Sequence, residues 1–213
     1  MTLHRLRRRP LLAAAFFALT LTACGGGGGS SGGSTPTPVP PVTLTVTHKV
    51  RLTTSQGVIE LGLDRTHAPI TVDNFLKYVN DGFYTNTVFH RVIRDFVIQG
   101  GGVIRNAAGA LQEKAPTYAP IALESRTGLS NVRGTIAMAR TSVPDSATSQ
   151  FFINTVDNKA LDYPGADGGG GYAVFGMVTA GLDVVDRIRA VNTNASDVPL
   201  VDVTITEAKV IPL

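Results

Sequence analysis

The sequence contains one cysteine, no tryptophan and no apolar run long enough to span a bilayer. Because Cys24 has no second thiol to pair with, a disulfide within the chain is excluded. The longest largely apolar stretch, Leu11–Leu21, has only eleven residues, whereas a membrane-spanning helix needs about 20. A permanent transmembrane helix is therefore not expected.

The sequence also lacks the residue patterns of several enzyme classes. Its four histidines are scattered and have no partner cysteine, so a zinc site is not expected. No Gly-x-Ser-x-Gly turn is present, and the run Gly25–Gly29 lacks the Gly-Lys-Ser/Thr of a phosphate loop. A catalytic triad of Ser146, His90 and Asp145 remains an alternative, but the sequence does not favour it. The remaining arginines, glutamines and phenylalanines suit a reaction that makes and breaks no covalent bond.

The charge of the chain gives no indication of a nucleic-acid partner. The formal net charge is +3, but four of the 19 lysines and arginines lie before residue 24, in a segment without acidic residues. The other 15 basic residues are balanced by 16 acidic residues. A basic face of the kind that binds nucleic acid is therefore not expected.

Residues 1–23 have the features of an export signal. Arg5 and Arg7–Arg9 form a positive segment before the apolar stretch. The tetrapeptide LTAC, Leu21–Cys24, resembles the lipobox of bacterial lipoproteins, which implies lipid on the Cys24 thiol and a mature chain that begins there. The alternative is an ordinary signal followed by an unrelated cysteine. Lipid would anchor the chain in the cell envelope, and Gly25 instead of aspartate after the cysteine suggests the outer membrane, facing the periplasm.

The segment after Cys24 has the composition of a linker. Gly25–Pro41 begins with glycine and serine and ends with proline, and it offers no apolar face. Such a segment acts as a tether with a reach on the order of 30–40 Å. The predicted organisation is a signal over residues 1–23, a lipidated cysteine and tether over residues 24–43, and one folded domain over residues 44–213.

The folded domain is predicted to be mainly β. Two strands joined at Gln56-Gly57 are followed by short strands that begin near Gly134, Gln150, Tyr172 and Val201. Many short strands with few helices favour a closed barrel with helical covers. Phe89, Phe151 and Phe175 are assigned to the core.

Two helices are predicted between these strands. The first begins at Pro69 and stops before Gly82. Its apolar face is expected to contain Ile70, Phe75, Leu76 and Val79. The second covers Gly181–Val191, with Leu182, Val185 and Ile188 turned inward.

Three segments together resemble the cyclophilins, which are peptidyl-prolyl cis-trans isomerases. They are FHRVIRDFVIQGG from Phe89, GTIAMARTSVPDSATSQFFIN from Gly134 and ALDYPGADGGGGYAVFGMV from Ala160. The resemblance covers residues 44 to 213. It implies a closed eight-stranded antiparallel β-barrel capped by two α-helices, with the active groove on its outer face. It also implies a monomer that uses no cofactor and acts on proline-containing unfolded or flexible protein segments.

The resemblance assigns roles to individual residues. The implied catalytic residues are Arg91, Phe96, Gln99 and Phe152, of which Arg91 would donate to the proline nitrogen. The implied substrate-binding residues are Val97, Ala139, Arg140, Thr141, Gln150, Leu161 and Tyr172. Without this context, Arg91 would be taken for a surface ion pair, and Phe96 and Phe152 for plain core.

The sequence departs from the best-known eukaryotic pattern of the family at three positions. Ala160 stands where many members have tryptophan, Tyr172 where many have histidine, and Arg140 where asparagine is common. Since the absent tryptophan contributes to cyclosporin binding, weak binding of that drug is expected. A proline-binding module without turnover is the alternative function, but it would have no need of Arg91.

Overall fold

The computed structural model describes residues 42–166 and 168–213. The export signal, Cys24 and residues 25–41 of the predicted tether lie outside these residues. The described chain forms eleven strands and two α-helices. The strands are β1 His48–Thr54, β2 Gly57–Leu63, β3 Thr87–Val88, β4 Arg91–Val92, β5 Val97–Gly100, β6 Val103–Arg105, β7 Leu111–Glu113, β8 Thr135–Met138, β9 Phe151–Asn154, β10 Val174–Ala180 and β11 Thr204–Ile211. The helices are α1 Pro69–Asn80 and α2 Leu182–Arg189, and short 3-10 turns cover Pro144–Ser146 and Lys159–Leu161.

All strands belong to one curled antiparallel sheet with the order β4-β5-β9-β8-β10-β2-β1-β11-β3-β6-β7. The predicted mainly β fold with two helices is confirmed, but the closed eight-stranded barrel is wrong in detail. β4 and β7 are the edges of the sheet and do not pair with each other. The hairpin of β6 and β7, which the sequence analysis did not identify, extends one edge.

β3 and β4 are consecutive in the chain, have only two residues each and do not pair with each other. The chain leaves the ladder between them at Phe89 and His90. Isolated backbone hydrogen bonds flank this break: Phe89 N–H donates to the Val203 carbonyl at 2.9 Å, next to the β3–β11 pair, and Val92 N–H donates to the carbonyl of the loop residue Asp197 at 2.8 Å. Single bonds of this kind hold the chain in place without forming a continuous strand pair.

The sheet buries both of its faces near β5, β8 and β9. On the inner face, Ile98, Ile136 and Ile153 belong to the main core and are fully buried. On the outer face, neighbouring residues such as Val97 and Phe152 belong to a second, smaller apolar cluster. This explains why these strands have continuous apolar sequences instead of an alternating pattern. Phe89, Phe151 and Phe175 lie in the main core, as predicted.

The first helix follows its prediction closely. α1 begins at Pro69 and ends at Asn80, two residues before Gly82. Phe75 and Val79 are buried and Leu76 is partly buried against the core. Ile70 was assigned to the same face, but 46% of it is exposed. A repeat of 3.6 residues places Ile70 about 140° from Phe75 and about 180° from Val79 around the helix axis, so Ile70 faces away from the core.

The second helix is shorter than predicted, and its buried face differs slightly from the predicted one. α2 covers Leu182–Arg189, with Val185 and Ile188 fully buried as expected. The assignment of Leu182 to the inner face is wrong, because Leu182 is 37% exposed and Val184 is buried instead. A helical repeat of 3.6 residues places positions 184, 185 and 188 on one face and position 182 on its border.

The start of α1 is capped from a distant loop. Ala68 at the N-cap has no side chain that could accept a hydrogen bond. Glu124 caps the helix instead. Its carboxylate accepts hydrogen bonds from Ile70 N–H at 3.1 Å, from Thr71 N–H at 2.7 Å and from the Thr71 hydroxyl at 2.7 Å. A carboxylate is favourable at this position because the N-terminus of a helix carries partial positive charge. Glu124 thereby attaches the long loop before β8 to the first helix.

We expect Glu124→Ala to lower the free energy of unfolding by about 1–3 kcal/mol, the range for a helix cap and for hydrogen bonds to a charged group. Glu124→Gln keeps one acceptor and should lose less. Urea unfolding of the folded domain measures the loss of stability in both variants. Glu207→Ala is the matched control, because its ion pair with Lys209 is half exposed and such surface pairs contribute about 0–1 kcal/mol. Equal losses in Glu124→Ala and the control would contradict the capping role.

Candidate active site

The candidate site lies on the outer face of the sheet, where β4, β5 and β9 run side by side. Arg91 is opposite Gln99 in the β4–β5 pair, and Gln99 is opposite Phe152 in the β5–β9 pair. Directly opposite residues project from the same face with Cβ atoms about 4.5–5.5 Å apart. The register therefore aligns a guanidinium, an amide and a phenyl ring in one row, which we call the catalytic row.

The turn between β4 and β5 places Phe96 beside this row. Ile93 N–H donates to the Val97 carbonyl at 2.9 Å, and Phe96 N–H donates to the Ile93 carbonyl at 3.1 Å. The tight hairpin presents the Phe96 ring next to Arg91, with the guanidinium carbon 6.0 Å from the ring centre. This distance is the outer limit of a cation–π contact, so the ring shields the guanidinium without holding it tightly.

Nine of the predicted residues line one pocket of about 150 Å³, which we call the proline pocket. They are Arg91, Phe96, Val97, Gln99, Ala139, Arg140, Phe152, Leu161 and Tyr172. All four predicted catalytic residues are among them. The pocket thus combines an apolar cup of the right character for a small ring with two guanidinium groups, those of Arg91 and Arg140, and the amide of Gln99.

The walls of the proline pocket come from different parts of the chain. The ring of Tyr172 meets the Phe152 ring edge to face, with centres 5.5 Å apart and planes at 79°. Tyr172 N–H donates to the Leu161 carbonyl at 2.9 Å. These contacts join the segment before β10 and the 3-10 turn after β9 into one continuous apolar wall.

Arg91 has no carboxylate partner in the described part of the chain, and its side chain is half-buried. Six other arginines form ion pairs with aspartate or glutamate, namely Arg51, Arg65, Arg105, Arg133, Arg187 and Arg189. The N–H donors of Arg91 therefore remain available to a bound molecule. The guanidinium keeps its charge at any physiological pH.

Gln99 is held in place by the second glutamine of the site. Its Nε2 donates to Oε1 of Gln150 at 3.0 Å, so the carbonyl oxygen of the Gln99 side chain remains free to accept. Gln150 packs directly against Gly102, where a Cβ atom would lie 2.3 Å from its Cγ. A glycine is therefore required at position 102 for Gln150 to reach Gln99.

Ala139 and Arg140 form an unpaired backbone edge beside the pocket. Ala139 N–H is used, because it donates to the Gln150 carbonyl at 2.9 Å. Within the described residues, the Ala139 carbonyl and the Arg140 N–H and carbonyl make no hydrogen bond. This edge can pair with an extended peptide, which agrees with the role implied for these two residues.

The other two predicted residues, Thr141 and Gln150, line an adjoining pocket of about 150 Å³. It shares Gln99, Ala139 and Arg140 with the proline pocket, and Ser146 and Thr148 complete it. The Thr141 and Ser146 hydroxyls are 2.8 Å apart. The lining is polar but uncharged apart from Arg140, and we call it the polar pocket.

The open Ser-His-Asp alternative is wrong. Ser146 Oγ donates to the Val143 carbonyl at 2.6 Å and Asp145 accepts Leu123 N–H at 2.9 Å, so neither contacts His90. Burial lowers the pKa of His90, and its Nδ1 has no partner among the described residues.

In the described part of the chain, no cluster of histidine, cysteine and acidic residues could hold a metal. Nor is any described helix both long and apolar enough to cross a bilayer.

Comparisons with known proteins agree with this geometry. The family model "Cyclophilin type peptidyl-prolyl cis-trans isomerase/CLD" matches residues 49–210. Peptidyl-prolyl cis-trans isomerase A of Dickeya dadantii is 51% identical over 171 residues, which are 78% of this chain and 86% of the relative. Peptidyl-prolyl cis-trans isomerase B of Escherichia coli is 49% identical over 162 residues, or 74% of this chain and 96% of the relative.

The chain belongs to the cyclophilin family. The predicted enzymatic activity, peptidyl-prolyl cis-trans isomerisation, is thereby confirmed. Among solved structures, a cyclophilin-type isomerase of Cryptosporidium parvum, determined in the presence of the dipeptide Ala-Pro, aligns with a TM-score of 0.64 and 25% identity. The alignment covers 78% of this chain and 99% of that one.

The sequence analysis missed a buried polar network behind the proline pocket of this cyclophilin. Asn158 Nδ2 donates to the Phe96 carbonyl and to Asn154 Oδ1, both at 2.8 Å. The fully buried Asn154 donates in turn to Asn131 at 3.2 Å and to the Thr135 hydroxyl at 2.9 Å. The only sequence signal was an asparagine at the end of the apolar segment QFFIN.

The same network continues to the opposite wall of the pocket. One carboxylate oxygen of Asp162 accepts the backbone and side-chain N–H groups of Asn131 at 2.6 and 2.9 Å, and the other accepts the Ser130 hydroxyl at 2.5 Å. Asp162 follows Leu161 directly. Hydrogen bonds therefore connect the backbone of Phe96 on one wall with the backbone next to Leu161 on the other.

We expect Asn158→Ala to lower both stability and catalysis of this cyclophilin. Loss of the amide leaves Asn154 Oδ1 without its donor, which costs about 1–3 kcal/mol, and loosens Phe96. Chemical unfolding measures the first effect, and an X-Pro isomerisation assay well below the unfolding transition measures the second. The control is Asn192→Ala, because Asn192 is exposed. Loss of stability with unchanged kcat and KM would contradict a role in positioning the pocket wall.

Proposed function

We propose that the proline pocket binds the proline ring of a client segment and that Arg91 stabilises the twisted state of the preceding peptide bond. Rotation about a peptide C–N bond has a barrier of ~18–20 kcal/mol, because resonance stiffens the bond. The cis and trans forms of an X-Pro bond are close in energy, yet they exchange over tens to hundreds of seconds. A catalyst must therefore favour the twisted state between them.

Arg91 has the chemistry that this state requires. On twisting, the proline nitrogen becomes pyramidal and gains a lone pair. The guanidinium can donate to that lone pair without acid–base chemistry, because it stays protonated. The neighbouring ring of Phe96 reduces competition from water, which strengthens the interaction. The observation that carries the proposal is the catalytic row, in which Arg91 lies beside Gln99 and Phe152 without a carboxylate partner among the described residues.

The remaining site residues hold the client. The apolar cup of Phe96, Phe152, Val97, Leu161 and Tyr172 receives the ring. The backbone edge of Ala139 and Arg140 pairs with the chain that precedes the proline, while Gln99 holds the segment near the rotating bond. Thr141 and Gln150 line the neighbouring polar pocket.

Arg91 cannot account for the whole rate enhancement. A factor of about 10⁵ requires ~7 kcal/mol, at about 1.36 kcal/mol for each factor of ten. One hydrogen bond to a charged group contributes ~1.5–3 kcal/mol. The rest of the stabilisation of the twisted state has to come from desolvation in the apolar cup and from hydrogen bonds that hold the client backbone.

We expect Arg91→Ala to reduce kcat/KM for an X-Pro peptide by about 10- to 150-fold, which corresponds to the loss of one charged hydrogen bond. The kcat/KM of Arg91→Lys should lie between those of the wild type and of Arg91→Ala, because a lysine keeps the charge without the planar guanidinium group. Isomer exchange measured by NMR gives the rates. Arg94→Ala is the matched control, since Arg94 lies in the same hairpin but is exposed.

Phe152→Ala adds a second measurement to the same assay. Loss of the cup should weaken binding and so raise KM, whereas Arg91→Ala should act mainly on kcat. Wild-type turnover no greater than that of the two variants would overturn the proposal. It would favour the alternative in which the domain only holds proline-containing segments.

We further propose that this enzyme is a bacterial lipoprotein that acts as a monomer on exported proteins in the cell envelope. The support is the sequence: a signal over residues 1–23, the LTAC motif that ends at Cys24, and the tether Gly25–Pro41. Each buried CH₂ group of a lipid contributes about 0.8 kcal/mol, and more than one acyl chain is needed for stable anchoring. Facing the periplasm from the outer membrane, the domain would meet unfolded proline-containing clients after export.

We expect the mature protein, purified from a bacterial host, to begin at Cys24 and to carry lipid on that residue. Mass spectrometry of the intact chain and of its N-terminal peptide measures both properties. Cys24→Ser should move the protein from the membrane fraction to the soluble fraction without changing its specific isomerase activity. An unmodified chain that begins at another residue would contradict the proposal.

A further inference from the structure

A third pocket continues the groove beyond the proline pocket. It is open to solvent, has a volume of about 340 Å³ and is lined by Phe96, Ala160, Leu161, Gly165, Ala166, Gly171 and Tyr172. Phe96, Leu161 and Tyr172 also line the proline pocket, whereas none of its residues lines the polar pocket. The three pockets therefore follow one another, with the proline pocket in the middle.

The lining of the third pocket selects for apolar groups. Among the described residues that line it, the side chains are aromatic, aliphatic or absent, and none carries a charge. An apolar side chain that enters it is removed from water, which is favourable. A charged side chain would lose hydration there without gaining a partner. Ala160, which is exposed at the rim, leaves the entrance open.

The far wall of this pocket is held by Arg140. Its Nε donates to the Gly171 carbonyl at 2.9 Å and its Nη2 to the Gly169 carbonyl at 2.7 Å, while the guanidinium carbon lies 4.7 Å from the centre of the Tyr172 ring. Ala166 N–H donates to the Ala160 carbonyl at 3.0 Å. The pocket is thus bounded by hydrogen-bonded backbone and is more than a gap between loose side chains.

Gly171 itself brings the two sides of this wall together. A Cβ atom at position 171 would lie 2.8 Å from the Leu161 carbonyl oxygen, and the φ angle of Gly171 is +69°. Only glycine adopts such a conformation readily. The segment before β10 can therefore lie directly against the turn that ends in Leu161, which closes the bottom of the third pocket.

We propose that the third pocket is a specificity subsite that receives an apolar side chain directly following the client proline. The inference rests on the proposed function, in which the client chain before the proline pairs with Ala139 and Arg140. That edge borders the polar pocket, so the chain after the proline leaves on the opposite side, across Phe96 and Leu161. Clients with leucine or phenylalanine after proline are then preferred over clients with alanine or glutamate.

Peptides of the form Ala-Ala-Pro-Yaa test this preference, with Yaa as alanine, leucine, phenylalanine or glutamate. We expect kcat/KM for leucine to exceed that for alanine by about threefold to tenfold, less than the ~10–200-fold that an enclosed pocket gains from one methylene. NMR exchange gives the rates without a coupled protease, whose own preference would distort the series. A matched series, Ala-Yaa-Pro-Ala, varies the residue before the proline.

Two substitutions of Ala160, at the rim of the third pocket, test whether the preference for leucine arises in that pocket. Ala160→Leu fills the entrance and should bring the leucine-to-alanine ratio close to one. Ala160→Lys should raise the glutamate-to-alanine ratio, because it supplies an opposite charge. Both comparisons are ratios within one variant, so a general change in activity cancels. The series that varies the residue before the proline should not respond to either substitution.

The outcomes separate this inference from the proposed function. If all peptides are turned over at rates that do not depend on Yaa, the subsite is absent and the isomerase site stands. A preference for leucine that both Ala160 variants leave unchanged would also overturn the inference, because it would then arise elsewhere. Absence of turnover with every peptide would contradict the proposed function itself.

Discussion

The active site depends on the register of three strands, β4, β5 and β9. A shift of β5 by one residue would move Ile98 to the outer face and turn Gln99 into the main core. Such a shift is costly because Ile98 and Ile153 are fully buried on the inner face. The packing that stabilises the domain therefore also fixes the catalytic row, and the site needs no separate scaffold to align its guanidinium, amide and ring.

The unpaired state of Arg91 follows from the weakness of the acceptor it is proposed to serve. A carboxylate at 4 Å would attract the guanidinium by about 4 kcal/mol at an effective dielectric constant of about 20. A single hydrogen bond to a charged group contributes ~1.5–3 kcal/mol, so an acidic partner would win the competition. Six arginines elsewhere have acidic partners. Within the described residues, Arg91 has no acidic partner, and its cation–π contact is with the distant Phe96 ring.

Sequence patterns predicted the parts of the molecule that depend on local chemistry. The limits of α1 follow from Pro69 and Gly82, and the β1–β2 hairpin follows from Gln56-Gly57. The chain order of strands does not specify which edges meet, so the open sheet was not foreseen. Capping by Glu124 and the network of Asn131, Asn154, Asn158 and Asp162 were also missed. Each of these joins residues far apart in the chain and leaves no periodic signal.

In this cyclophilin, the residues proposed for the reaction and those proposed for client selection lie on different kinds of structure. The catalytic row lies mainly on paired strands, whose geometry is fixed by ladders and by burial on both faces. The outer walls of the groove lie on the described residues between 155 and 172. There the side chains of Asn158 and Arg140 donate hydrogen bonds to backbone carbonyls, and the Asp162 carboxylate accepts them from Ser130 and Asn131. Changes in that segment can alter the shape of the third pocket without shifting strand register. Client preference can therefore vary among related chains while the reaction at the proline stays the same.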